Sequence, residues 1–129
     1  EQLKEVSRLG ISKINVDTDI RLAVTRNLRE LFWYNPELRQ HEAIKPIYDL
    51  LDQKKSDFDP RVFLTPIMDT VMYGTVPTED VARIVSCIEK GVKEVVGTLI
   101  VEFDSVGKAP LVENVTLEQM AERYRKEGI

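Results

Sequence analysis

The stretch that decides the fold is Ile11-Ser12-Lys13-Ile14-Asn15-Val16-Asp17-Thr18-Asp19-Ile20-Arg21. Ile11, Ile14 and Val16 form a β-prone run too short for a helix of its own, which reads as one buried strand over 11–16. Asp17, Thr18 and Asp19 follow at once and supply cap-type side chains at a strand-to-helix junction. Upstream, Leu3, Val6 and Leu9 share one helical face, and Gly10 is a stop signal. Downstream, Ile20, Ala23, Val24, Leu28, Leu31 and Phe32 recur at helical spacing until Asn35-Pro36 ends the pattern. Helix, strand, polar turn and helix is the repeating step of an α/β protein.

No second β-prone run follows. Residues 38–53 are a helical candidate through Ile44, Ile47, Tyr48 and Leu51, with Pro46 near the start of its better half. Lys54 to Asp57 is a polar break, and Asp59-Pro60-Arg61 reads as a turn. A short helix is expected from near Pro66 through Ile67, Val71 and Met72 to a stop at Gly74. Thr78, backed by Glu79 and Asp80, opens the longest pattern. From Val81 through Ile84, Ile88, Val92, Val95 and Leu99 to Phe103, one face stays apolar for about six turns. A loop with Gly107 follows, and Thr116 and Gln119 are spaced as a capping box for a last helix with Leu117, Met120 and Tyr124 inside. A lone strand cannot make a sheet. The expected fold is therefore the end of a larger α/β protein, mostly helical in this chain, with 1–36 a final βα unit and 37–129 a helical extension. The chain also begins at Glu1 as though cut from something longer.

A length of 129 residues suits one domain, and 43% apolar with 31% charged residues supports a core rather than disorder. Lys and Arg number 18 against 22 acidic residues, a net charge of −4, which argues against a general nucleic-acid binder. One cysteine, Cys87, excludes an internal disulfide framework and suits a reducing cytosol; its place near an apolar helix face reads as buried and inert. No apolar run approaches the roughly 20 residues of a membrane span, and no secretory leader is visible, so the expected location is the cytoplasm. Phe32-Trp33-Tyr34 reads as packing or an interface rather than a cofactor box.

Chemistry concentrates between Lys13 and Arg21, where an amide, two carboxylates, a hydroxyl and a guanidinium crowd the end of the expected strand. In a (β/α)₈ barrel that is the substrate face. Thr18 and nearby backbone N–H groups suit a phosphate oxygen, and Asn15 can both donate to and accept from a hydroxy-ketone. The two carboxylates repel a phosphate unless they bind hydroxyls or a cation, or face away. Spacing alone leaves a polar turn with ordinary N-caps equally open.

Residues Gly10 to Ala23 closely resemble the end of the barrel in class II fructose-bisphosphate aldolases. Phe58-Asp59-Pro60-Arg61-Val62-Phe63-Leu64-Thr65-Pro66 resembles the family's Asp-Pro-Arg segment, and Phe103-Asp104-Ser105-Val106-Gly107-Lys108-Ala109 its Gly-Ser-Ala-Gly-type turn. The tail from Thr116 to Tyr124 is similar to a closing helix found in many members. The resemblance implies a zinc-dependent (β/α)₈ enzyme that reversibly cleaves fructose 1,6-bisphosphate to dihydroxyacetone phosphate and glyceraldehyde 3-phosphate. Its metal polarises the ketone as a Lewis acid. The resemblance also implies roles for five residues. Asn15 contacts the dihydroxyacetone phosphate moiety, Asp17 substrate hydroxyls and Thr18 the C1 phosphate. Arg21 and Arg61 meet the C6 phosphate, Arg61 reaching in from a neighbouring subunit.

The implied zinc ligands, three histidines, lie with an acid aspartate on earlier strands. This chain has one histidine, His41, outside any matching motif, so no metal ligand is expected within it. About seven βα units carrying the Zn²⁺ site must come from elsewhere. A monovalent cation is a second ion that the resemblance admits. Residues 37–57 and much of 69–102 are longer than the compact family pattern. Tagatose-bisphosphate aldolases tend to carry Ala-Thr-Glu where this chain has Asp17-Thr18-Asp19, which favours fructose. The rival reading is a non-enzymatic helical interaction module that keeps an aldolase-like strand and docks a partner on Val81 to Phe103.

Overall fold

The computed structural model describes residues 2–11, 13–73, 78–112 and 114–128, and every regular element among them is helical. Helix α1 (Gln2–Arg8) stops before Gly10, whose φ of 89° is a conformation that L side chains resist. Helix α2 (Thr18–Tyr34) ends ahead of Pro36, which opens a 3₁₀ turn (Pro36–Gln40). Helix α3 (Lys45–Gln53) carries Pro46 in its first turn, where a missing N–H breaks no hydrogen bond. Then come α4 (Pro60–Leu64), a 3₁₀ turn (Thr65–Ile67) and α5 (Met68–Tyr73). Helix α6 (Glu79–Glu102) starts at Thr78, whose hydroxyl accepts the Val81 N–H at 3.3 Å. After a short 3₁₀ turn (Ala109–Leu111), α7 (Leu117–Glu127) opens on a complete capping box. There the Gln119 N–H donates to Thr116 Oγ1 at 3.2 Å and the Thr116 N–H to Gln119 Oε1 at 2.9 Å.

Helices α2 and α6 run antiparallel and form the frame. At one end Arg83 donates to Asn35 Oδ1 at 2.7 Å; at the other, Gly91 lies directly on the α2 backbone at Ala23 and Val24. Their inner faces give Val24, Leu28, Phe32, Val81 and Ile84 to one core, completed by Leu38, Ile44, Ile47, Leu51, Phe63, Leu64 and Ile67. Each such side chain, once fully buried, contributes about 1.5–3 kcal/mol. With 17 residues α2 is about 25 Å long, and with 24 residues α6 is about 36 Å. The far end of α6 overhangs its partner, which leaves Val96, Ile100 and Val101 exposed.

Five expectations are corrected. Residues 11–16 form no strand among the described residues, and Ile11 and Ile14 are 49% and 37% exposed. A strand exists only through a ladder with a neighbour, and no other described segment is β. Asp59-Pro60-Arg61 is not a free turn but the N-cap and first residues of α4. The helix expected from Pro66 starts instead at Met68, after α4 and a 3₁₀ turn; its stop at Gly74 and the side chains of Val71 and Met72 lie outside the described residues. The face of α7 finds no core: Leu117 is 89% exposed and Met120 only half-buried. The rival's docking face shrinks as well, because Val81 and Ile84 are buried in the chain's own core.

Candidate functional site

Asp17 occupies the N-cap of α2, yet its carboxylate caps no backbone N–H. One turn on, the Arg21 guanidinium takes both of its oxygens, with Nε on Oδ1 at 2.7 Å and Nη2 on Oδ2. The remaining terminal nitrogen, Nη1, reaches across 38 residues to Asp59 Oδ2 at 3.2 Å. Asp59 itself caps α4 by accepting the Arg61 N–H at 3.1 Å. The Arg61 side chain folds back on the same carboxylate, Nε lying 2.9 Å from Oδ1 and 3.1 Å from Oδ2. The result is an alternating row, Asp17–Arg21–Asp59–Arg61, with two charges of each sign.

Two residues of α2 hold the second half of this row in place. Buried Thr25 donates to the Phe58 carbonyl at 2.8 Å. Arg29 donates to the carbonyls of Leu51, Lys54 and Asp57 at 3.3, 3.2 and 3.1 Å, and its guanidinium lies 5.6 Å from the Phe63 ring centre. The polar break at 54–57 is thereby tied to the helix that carries Arg21.

The Arg61 side-chain hydrogen bonds, foremost, draw the Asp59 carboxyl down to about 2. Partial burial opposes this, while the Arg61 N–H and the charges of Arg61 and Arg21 reinforce it. Reciprocally, Asp59 pushes the Arg61 guanidinium up. The row is electrically balanced, so a phosphate can enter only by taking a guanidinium from a carboxylate. Arg61, with a side chain 66% exposed, is the outer and more accessible of the two.

Of the residues singled out from the sequence, Asp17, Arg21 and Arg61 are therefore brought together. Thr18 is the exposed first residue of α2, and Asn15 is exposed in the irregular segment before it. Asp59 was missed as a member of the site. Its signal was the Asp-Pro pair, which marks an N-cap followed by proline at the first helical position.

A sequence model of the family described as fructose-bisphosphate aldolase class-II matches residues 1–108, a span that includes both halves of the row. The chain belongs to the class II fructose-bisphosphate aldolase family. It is 30% identical over 124 residues to the fructose-bisphosphate aldolase of Xanthobacter flavus, covering 96% of this chain and 24% of that one. To the aldolase of a Nostoc species it is 29% identical over 126 residues, 98% of this chain and 24% of the other. To that of Streptococcus pyogenes it is 39% identical over 71 residues, 55% and 21% of the two chains. The chain thus spans about a quarter of the length of the curated aldolases it matches. No solved structure matches the chain.

Class II aldolases are generally zinc-dependent, but the donors among the described residues do not fit a zinc site. His41 Nε2 sits 2.8 Å from Asp80 Oδ2. Cys87 is half-buried on α6, and burial pushes its thiol up, away from the thiolate that zinc requires. Among the described residues no three His, Cys, Asp or Glu side chains converge. No described helix is long and apolar enough to cross a membrane.

Proposed function

We propose that this chain is the C-terminal portion of a class II fructose-1,6-bisphosphate aldolase, closing a (β/α)₈ barrel and supplying substrate-binding groups. Asn15 hydrogen-bonds the dihydroxyacetone phosphate half, Asp17 the sugar hydroxyls and Thr18 the C1 phosphate. Arg21 and Arg61 receive the C6 phosphate from within one chain, Arg61 sitting beside Arg21 on Asp59 rather than reaching in from the neighbouring subunit as the resemblance implies. Zinc and its ligands come from the remainder of the barrel, with the neighbouring subunit as the other partner and the cytoplasm as the location. Fructose rather than tagatose bisphosphate follows from Asp17-Thr18-Asp19.

One observation carries this reading. Arg21 and Arg61, on separate aldolase-like segments, share the carboxylate of Asp59. Two forked cations are thus held ready beside one another. A phosphate dianion, with more charge and more acceptor oxygens than a carboxylate, can draw Arg61 from Asp59.

The test uses this chain joined to the missing three quarters of the polypeptide. Arg61→Ala should cost about 2–4 kcal/mol, or roughly 30- to 1,000-fold in kcat/KM for cleavage. Arg61→Lys should restore little, because a point charge does not reproduce the fork. Exchange of the dihydroxyacetone phosphate proton needs only the other half-site and should survive. Asn15→Ala should impair both reactions. Equal losses of cleavage and exchange in Arg61→Ala, with a lower melting temperature, would show that Arg61 merely shapes the start of α4.

A second reading draws on the exposed Val96, Ile100 and Val101 at the end of α6. A non-enzymatic module would dock a helical partner there. The reading frame upstream of Glu1 separates the two: an aldolase encodes three zinc-ligand histidines, whereas a module does not.

A further inference from the structure

The C-terminal end of α2, about 18 Å along the helix from Arg21, carries a concave feature. A groove of about 450 Å³ runs between the last turns of α2, the 36–40 turn and α3, lined chiefly by Arg29, Trp33, Arg39, Tyr48, Asp52 and Lys55. Its composition runs against the rest of the chain: three cations and one carboxylate, in a protein of net charge −4. Its rim bears Trp33, the protein's one tryptophan, 74% exposed. Neighbouring Phe32 turns inward and packs on Tyr48 at 5.5 Å between ring centres, so the floor is aromatic as well.

The cations differ in what they have left to offer. Arg29 is committed to the carbonyls of Leu51, Lys54 and Asp57 and contributes charge rather than donors. Arg39 uses Nε on the Phe32 carbonyl at 3.0 Å and lays its guanidinium 5.5 Å from the Tyr48 ring centre. Among the described residues its terminal nitrogens bond to nothing else, and the stacking holds them still at the groove. Lys55 is highly exposed and lies 3.3 Å from Asp52, which it neutralises.

An exposed indole beside fixed cations suits a planar ring that stacks on one side and carries an anion on the other. We infer that this groove binds a small aromatic anion of the nucleoside monophosphate class, the base on Trp33 and the phosphate on Arg39 and Lys55. The site lies at the opposite end of α2 from the aldolase row.

Trp33 makes the test direct, since it alone produces tryptophan emission in the 129-residue chain. Titration with adenosine monophosphate should quench that emission saturably, with a Kd at or below about 1 mM, and calorimetry should return the same constant. Adenosine and inorganic phosphate, each offering half of the ligand, should bind at least about tenfold more weakly. Arg39→Gln and Lys55→Gln should each weaken binding about tenfold. Arg39 also supports Phe32, so a melting curve must accompany that variant; Lys55 is exposed and outside the core, so its variant tests the idea even if Arg39→Gln unfolds. No saturable change up to about 10 mM nucleotide would overturn the inference, as would phosphate binding as tightly as the nucleotide. An unchanged Kd in Lys55→Gln would also overturn it. Emission that shifts with protein concentration alone, indifferent to nucleotide, would show that Trp33 instead meets a second copy of the chain.

Discussion

Replacing Gly91 by alanine tests the helix pairing on which the fold rests. A Cβ built at Gly91 falls 2.7 Å from both Cα and N of Val24 and 3.0 Å from the Ala23 carbonyl carbon. Carbon atoms pack at about 3.5–4.0 Å, so the new methyl is short of room by about 1 Å. The atoms in its way are backbone of α2 and cannot rotate aside. Helices α2 and α6 must part, loosening Val24, Leu28, Val81 and Ile84 together. Overpacking of this kind costs about 1–3 kcal/mol, and the rigid obstacle places Gly91→Ala at the upper end. Alanine's better helix propensity returns about 1 kcal/mol. The net loss is about 1–2 kcal/mol, or roughly 3–8 °C in Tm for a chain of this size. Gly97 supplies an internal control. It lies in the same helix with nothing within 4 Å of its Cβ position. Gly97→Ala should therefore stabilise by up to about 1 kcal/mol. Urea and thermal unfolding of both variants give the comparison. If Gly91→Ala is neutral or stabilising like Gly97→Ala, the close crossing of α2 and α6 is refuted.

The lowered Asp59 carboxyl predicts an acid limb. Its contribution to stability is complete above the unfolded value of 3.8 and is lost as pH falls toward about 2, so Asp59→Asn should flatten unfolding in that window. Asp104, lowered first by its hydrogen bond to Lys108, leaves part of the limb in place; an unaltered profile would deny the Asp59 pairing. Thr116→Ala removes the capping box of α7 and should cost about 0.5–2 kcal/mol of local helix stability. Since α7 buries no residue, amide exchange should rise across 117–127 while the main melting transition stays put. The raised Cys87 thiol should react with a disulfide reagent more slowly than a free thiol near pH 8 and reach the ordinary rate once urea unfolds the chain. Ordinary reactivity in the folded chain would refute its burial.

Much of the helical framework was legible in the residues alone. The spacing from Ile20 to Phe32 and from Val81 to Leu99, the Thr78 cap and the Thr116–Gln119 box all predict what the structure contains. These features close within about four residues, so their physics is local and the chain order states it directly. The family resemblance was likewise carried by contiguous segments. What the tertiary structure decided involves groups distant in sequence. Ile11 and residues 13–16 stay irregular because a ladder needs a neighbour, and none is found among the described residues. Asp59 joins the site because α2 and α4 pack so that its carboxylate meets Arg21, 38 residues earlier. The α2–α6 crossing is equally invisible in the pattern of apolar residues. Gly91 reads there as a mere weakness of the helix, and only the approach of Val24 makes its missing side chain a requirement.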